Sequence, residues 1–177
     1  MNTETQINLL DYIKDVKDFP KEGIIFKDIT PILLNPKAYQ YCLNQLLEKS
    51  SSTTIKFDKI VGVESRGFWF GPAMAQQLNV GFVPVRKKGK LPGETISQNY
   101  NLEYGQDALE IHKNAICKGD RILIHDDLLA SGGTVSAVEK LVAQLGGEVV
   151  GYNFVISLDS IFKDRSLNAP ISSVLTF

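Results

Sequence analysis

Ile122-Leu123-Ile124-His125-Asp126-Asp127-Leu128-Leu129-Ala130-Ser131-Gly132-Gly133-Thr134 passes from an apolar run into two adjacent carboxylates and straight on into a small, glycine-rich turn. The run Ile122 to Ile124 reads as a buried strand of a parallel sheet, and Val135 to Leu145 as the amphipathic helix that follows it. Ala130 to Thr134 is then a strand-to-helix turn. There, small residues let backbone N–H groups close around a phosphate, and the helix N-terminus adds unpaired donors and partial positive charge. One such contact contributes only ~0.3–1 kcal/mol, so several must converge. Asp126 and Asp127 would repel a phosphate; as acceptors only, they suit vicinal hydroxyls, which supply donors. The plainer alternative is an acid pair that begins a loop and caps a helix, but strand, acids and glycines in this one order favour a sugar-phosphate site. A P-loop would need Lys directly after the glycines, where this chain has Thr134, and no Gly-x-Gly-x-x-Gly follows a strand.

The segment resembles, over all thirteen positions, the phosphoribosyl-pyrophosphate signature of the type I phosphoribosyltransferases. Bulk properties agree with such an enzyme. The 177 residues suit a single domain over 1–177, and the net charge of −1 gives no general basic field for nucleic acid. No apolar run approaches membrane-spanning length and the N-terminus is polar, so the expectation is a cytoplasmic chain with no membrane partner. Cys42 and Cys117 read as free thiols, and His112 and His125 are too isolated for a metal cluster. His125 abuts the acid pair but reads as packed and hydrogen-bonded rather than catalytic.

Working outward, Thr3 with Gln6 can form a capping box for a first helix carrying Ile7, Leu10, Ile13 and Val16, which Pro20 ends. Phe19 to Pro31 reads as irregular or extended. Asn35 can cap and Pro36 begin a second helix with Tyr39, Leu43, Leu46 and Leu47 on one side. Lys59 to Val63 is a short strand, Gly71 to Leu78 a helix, and Gly81 to Val85 another strand. Arg86 to Gln106 reads as a long polar loop, Asp107 to Ile111 as a solvent-facing strand, and Val149 to Leu158 as a strand after the turn at Gly146-Gly147. The alternation predicts an α/β fold, a central mainly parallel twisted sheet flanked by helices, with ligands at its carboxyl edge.

Two further constellations bear on chemistry. Val63-Glu64-Ser65-Arg66-Gly67 ends the earlier strand, where an Arg and a Gly suit a pyrophosphate; alone, it would read as an ordinary turn. In the resembled family it is the pyrophosphate loop, which often includes a non-proline cis peptide. Arg86-Lys87-Lys88-Gly89-Lys90 places four cations in five residues of a nearly neutral chain. Such runs are usually solvated faces, but this one can meet a highly negative substrate, and the loop over 86–106 suits a flexible lid that keeps water from a ribosyl cation.

Phe26-Lys27-Asp28-Ile29-Thr30-Pro31, Glu64 to Phe68, Arg86 to Gly93 and Leu102-Glu103-Tyr104-Gly105, with the acid-pair segment, resemble the adenine-using branch of the family over nearly the whole chain. The resemblance implies AMP and pyrophosphate made from adenine and phosphoribosyl pyrophosphate, in a homodimer. It implies Mg²⁺ held mainly by substrate oxygens rather than by protein ligands. It implies a small N-terminal hood over 1–35, with Phe26 and Leu128 sandwiching adenine and backbone groups of Ile25 and Lys27 reading its edge. Asp126 and Asp127 hold ribose hydroxyls, and Ala130, Ser131, Gly132, Gly133 and Thr134 hold the 5′-phosphate. Arg66, Arg86, Lys87 and Lys90 bind pyrophosphate. Glu103 handles a purine proton, and Tyr104 approaches the ribose or leaving group beside it, with Arg66 the third catalytic residue. Phe26 as core and Glu103 as a solvated acid remain open alternatives. Ala130 stands where relatives acting on 6-oxopurines carry an Asp, which favours adenine over hypoxanthine. A ligand sensor of the same fold would usually append a DNA-binding domain, and a nucleic-acid module using Lys87 to Lys90 would bind with steep salt dependence.

Overall fold

In a computed structural model, residues 7–51, 56–102, 105–162 and 167–177 are described. Two compact units divide the chain, Met1–Gln45 and Leu46–Phe177.

In the first unit the expected opening helix does not form over its described residues, and Thr3 and Gln6 lie outside them. A 3-10 turn at Leu9–Tyr12 is followed by strand β1 (Lys14–Lys17), antiparallel to β2 (Ile25–Asp28). Ile7, Leu10, Ile13 and Val16 repeat every three residues, the period of a 3-10 turn, with none of the four-residue steps that close an α-helical stripe. The cross-strand pair Asp15–Lys27, with Nζ 2.7 Å from Oδ1, then favours the hairpin. Its turn places Asp18 at φ 57°, where Asp18 Oδ1 accepts the Gly23 amide at 2.7 Å, and the Phe19–Pro20 bond is cis. A short helix α1 (Thr30–Leu34) precedes α2 (Pro36–Ser51). As read from sequence, Asn35 caps α2, its Oδ1 accepting the Lys37 and Ala38 amides at 3.0 and 3.1 Å.

The second unit is an α/β sheet. Its elements are β3 (Lys59–Val63), α3 (Gly71–Leu78), β4 (Gly81–Lys87), β5 (Thr95–Leu102), β6 (Gly105–His112), β7 (Arg121–Leu129), α4 (Gly133–Gln144), β8 (Glu148–Ser157) and β9 (Ile171–Thr176). The strand order is β5-β6-β4-β3-β7-β8-β9, parallel from β4 to β9, with β6 antiparallel to both β4 and β5. Val61, Val63, Ile122, Ile124, Tyr152 and Phe154 are buried in the central strands, and Val138, Leu141 and Val142 of α4 join the same core. Each fully buried aliphatic side chain contributes roughly 1.5–3 kcal/mol, so this layer fixes which strand lies beside which. On β4, the Phe82 ring fills the space above two glycines. A Cβ at Gly62 or at Gly71 would stand 2.6 Å from it.

The segment 86–106, read as a loop, is largely strand. β4 runs on to Lys87, and Thr95–Leu102 pairs with Gly105–His112 as a hairpin. Polar residues such as Ser97, Gln98 and Asn99 suit it because β5 is an edge strand. Nor does β6 face solvent, since Ala108, Leu109, Glu110 and Ile111 are all buried.

Asp58 sets the start of β3 against β7. Its carboxylate accepts from the Arg121 amide (2.9 Å), Nε (3.1 Å) and Nη2 (3.0 Å), while its own amide donates to the Arg121 carbonyl at 2.8 Å. Those bonds hold the Asp58 carboxyl down at about 2. A depressed acid stabilises the fold above its ordinary value near 3.8 and loses that contribution as pH falls toward about 2. Asp58→Asn is therefore expected to melt below wild type at pH 6, with the gap closing between pH 4 and pH 2. Thermal unfolding of both proteins across that range measures it.

Candidate active site

The carboxyl ends of β3 and β7 build the site. Strand β7 carries both acids toward its carboxyl end, where the sequence reading places them. It continues through them to Leu129, pairing Asp126 with Phe154 and Leu128 with Ile156 of β8. The two side chains leave the strand in alternation, yet their carboxylates stay close enough to interact with each other. Asp127 is 3% exposed, and its Oδ2 lies 3.1 Å from Arg66 Nε; Asp126 is half-buried and accepts the Asp127 amide on Oδ1 at 2.9 Å. Burial raises the Asp126 carboxyl well above the usual carboxylate range, and the charge of Asp127 pushes the same way. Burial also raises Asp127, against the pull of Arg66. The arrangement keeps Asp126 the more accessible acceptor of the pair.

Arg66 begins a 3-10 turn, Arg66–Phe68, directly after β3, and the Glu64–Ser65 bond before it is cis, within the stretch where the family resemblance placed one. Gly67 closes that turn against β7: a Cβ there would stand 2.8 Å from the His125 carbonyl oxygen and 3.3 Å from Asp126 Oδ1. The loop and the acid pair are thus seated on each other with no room for a side chain between them.

After Leu129 the chain turns through Ala130 and Ser131 to Gly132 at φ 89°, a left-handed conformation that glycine adopts without a Cβ penalty, and enters α4 at Gly133. The first closed helical turn is Ser136 N–H to Gly132 O at 2.9 Å. The amides of Gly133, Thr134 and Val135 lie ahead of it, in the turn that leaves donors outside the helical ladder and favours an anion. Here the sequence reading and the backbone coincide, with α4 starting two residues earlier than read.

The cation run lies where β4 ends. Arg86 Nε is 3.2 Å and Lys90 Nζ 2.5 Å from Glu64, whose Oε2 also accepts the Lys87 amide at 3.0 Å. Lys87 Nζ is 3.5 Å from Asp107 Oδ2, and the Gly89 amide donates to Glu110 at 2.9 Å. This is a structured turn on a bed of acids rather than a solvated charge run. Glu64 was named in the sequence without a role; its partners stand 22 to 26 residues away, and no local signal joins them. Burial alone would raise its carboxyl, but bonds from Lys90, Lys87 and Arg86 outweigh that and hold it below the usual range.

Other predicted residues fall as follows. Leu128 is a half-buried residue of β7. Ile25, Phe26 and Lys27 lie on β2 in the first unit, where Phe26 packs edge-to-face on Phe19 at 5.1 Å. Glu103 and Tyr104 lie outside the described residues. His125 is fully buried with Nδ1 donating to the Asn153 carbonyl at 3.1 Å, and burial pushes it down to about 4, so it is a neutral packing residue at physiological pH. A cavity of about 470 Å³ is lined by Pro92, Gly93, Glu94, His112, Lys113 and Asn114, none of which belongs to the acid pair or the amide turn.

A parallel sheet whose central strand carries two acids into an amide-lined turn, beside a second strand-end loop bearing an arginine, defines a phosphoribosyltransferase, and the phosphoribosyl transferase domain family matches residues 31–165. An adenine phosphoribosyltransferase of Clostridium botulinum is 54% identical over 172 residues, covering 97% of this chain and 99% of the relative. The crystal structure of adenine phosphoribosyltransferase from Thermoanaerobacter pseudethanolicus superposes with a TM-score of 0.90 at 48% identity, covering 96% and 98% of the two chains. That of the Saccharomyces cerevisiae enzyme, complexed with an imino-altritol bisphosphate and adenine, does so at 0.87 and 47%, covering 94% and 96%. The chain belongs to the adenine phosphoribosyltransferase family.

Proposed function

We propose that the chain is a purine salvage enzyme that transfers the 5-phosphoribosyl group from phosphoribosyl pyrophosphate to adenine, giving AMP and pyrophosphate. The observation that carries this reading is the joint placement, at adjoining strand ends, of the acid pair Asp126–Asp127, the amide turn into α4 and the Arg66 loop. The turn from Ala130 to Thr134 takes the 5′-phosphate. Asp126 and Asp127 accept from the ribose hydroxyls, and Arg66 with Arg86, Lys87 and Lys90 faces the leaving pyrophosphate. Asp127 also anchors Arg66, so the group that grips the sugar and the group that meets the leaving group move as one. Ile25, Phe26, Lys27 and Leu128 are assigned to the base, and Glu103 and Tyr104 to proton handling and the ribose, on family resemblance alone.

Among the described residues no three His, Cys, Asp or Glu side chains gather into a metal site. The hard oxygens of Asp126 and Asp127 fit Mg²⁺ only together with substrate hydroxyls and water. When bound, Mg²⁺ would neutralise pyrophosphate charge as that group departs. Within the same reading the chain is a cytoplasmic homodimer; among the described residues, no helix is long and apolar enough to cross a membrane.

Purified protein with Mg²⁺, phosphoribosyl pyrophosphate and a panel of bases is expected to yield AMP, identified by mass. Adenine is expected to exceed hypoxanthine by at least ~10²-fold in kcat/KM, because a site accepting from the 6-amino group leaves an acceptor facing a carbonyl. Comparable turnover of hypoxanthine would overturn the base assignment, and the absence of any nucleotide would overturn the reading.

A further inference from the structure

We propose that Glu64 is a positioning residue for pyrophosphate: it is the half-buried carboxylate that gathers Arg86 and Lys90 into a preformed socket beside the Arg66 turn. The inference rests on the proposed transferase reading and deepens it. The Glu64 side chain is only 9% exposed, while those of Lys90 and Lys87 are 49% and 52% exposed, so the acid lies inside and the cations outside. Arg86 spends Nε and Nη2 on Glu64 and Nη1 on the Lys90 carbonyl at 2.8 Å, which makes it a strut between Glu64 and the turn. Lys90 gives Glu64 one of its three N–H donors and keeps an outward surface. The four cations Arg86, Lys87, Lys88 and Lys90 against the three carboxylates Glu64, Asp107 and Glu110 leave positive charge in excess.

The opposite role would be a brake, with Glu64 competing against pyrophosphate for the same cations. A brake must be displaced for the ligand to bind. Glu64 is tied down by its own backbone, its amide donating to the Val85 carbonyl at 2.8 Å, and by the Lys87 amide that its Oε2 accepts. It therefore stays in place and holds the cations in register. Without it, long side chains with up to ~2 kcal/mol of rotamer entropy each would have to be ordered by the ligand. Asp107 does the same, more weakly, for Lys87.

The test measures pyrophosphate affinity by titration calorimetry, and KM for each substrate, in wild type and Glu64→Gln, with Asp107→Asn as a milder variant should the first fail to fold. Wild type that makes AMP establishes the activity independently of the variants. Glu64→Gln is expected to weaken pyrophosphate binding and raise KM for phosphoribosyl pyrophosphate about tenfold, with KM for adenine unchanged; Asp107→Asn is expected to give about threefold. Unchanged or tighter pyrophosphate binding would overturn the proposal, as would an equal loss for both substrates. If only Asp107→Asn folds, unchanged affinity in it would do the same.

Discussion

Gly67→Ala is expected to lower kcat/KM for phosphoribosyl pyrophosphate by about 10²-fold or more, because displacement of reacting groups by ~1 Å is enough for such a loss. The added methyl would stand 2.8 Å from the His125 carbonyl oxygen, an obstacle made of backbone rather than of a side chain that can swing aside. It would also press on Asp126, 3.3 Å from Oδ1. Either the loop lifts, carrying Arg66 away from Asp127, or strand β7 shifts with its acids; both separate groups proposed to meet the same substrate. The strain would cost roughly 1–3 kcal/mol of stability, within what a folded domain tolerates. Steady-state AMP synthesis with a melting curve checks the expectation: a folded variant with near wild-type kcat/KM would show that the loop and the acid pair need not touch.

Asp126→Asn is expected to make the protein more stable and far less active. A carboxyl raised on folding holds a proton that the unfolded chain would release. Stability drawn from Asp126 therefore falls as pH rises from the ordinary carboxylate value near 3.8 toward its raised folded value, and stays lower above it. Asparagine is neutral at every pH and can still accept the Asp127 amide on its carbonyl oxygen. Its gain at pH 7 is about 1 kcal/mol, or about 2–4 °C in Tm, shrinking below pH 4. Activity moves the other way: losing the charged acceptor proposed for a ribose hydroxyl removes up to ~3 kcal/mol, about 10²-fold in kcat/KM. A variant destabilised at pH 7, or one with full activity, would refute the account of this carboxylate as held in an unfavourable place for the sake of the sugar.

The legible parts of the fold were those fixed by nearby residues. Lys59–Val63, Gly71–Leu78 and the core of β7 are short apolar or amphipathic segments bounded by turn residues, and each appears where it was read. The opening hairpin was missed because its strands are held by residue 15 meeting residue 27, a pairing no local period reports. The 86–106 segment looked like loop because β5 is a polar edge strand, and β9 went unread because Ile171–Thr176 shows no clean alternation. The site divides in the same way. Acids, glycines and helix start lie within thirteen consecutive residues and were readable, whereas the Arg66–Asp127 and Glu64–Lys90 pairs join distant segments and depend on the sheet order that brings them together.

The Phe82 ring has a consequence for how this sequence can drift. Since it occupies the volume that side chains at 62 and 71 would need, those two glycines are locked as long as the phenyl remains, and Phe68, edge-to-face with it at 5.8 Å, leans on the same ring. Shrinking residue 82 first would leave a void; enlarging either glycine first would force a clash. Exchange at these positions can only proceed as a compensated set, so among divergent descendants of this chain a small residue at 82 should be accompanied by bulk at 62 or 71.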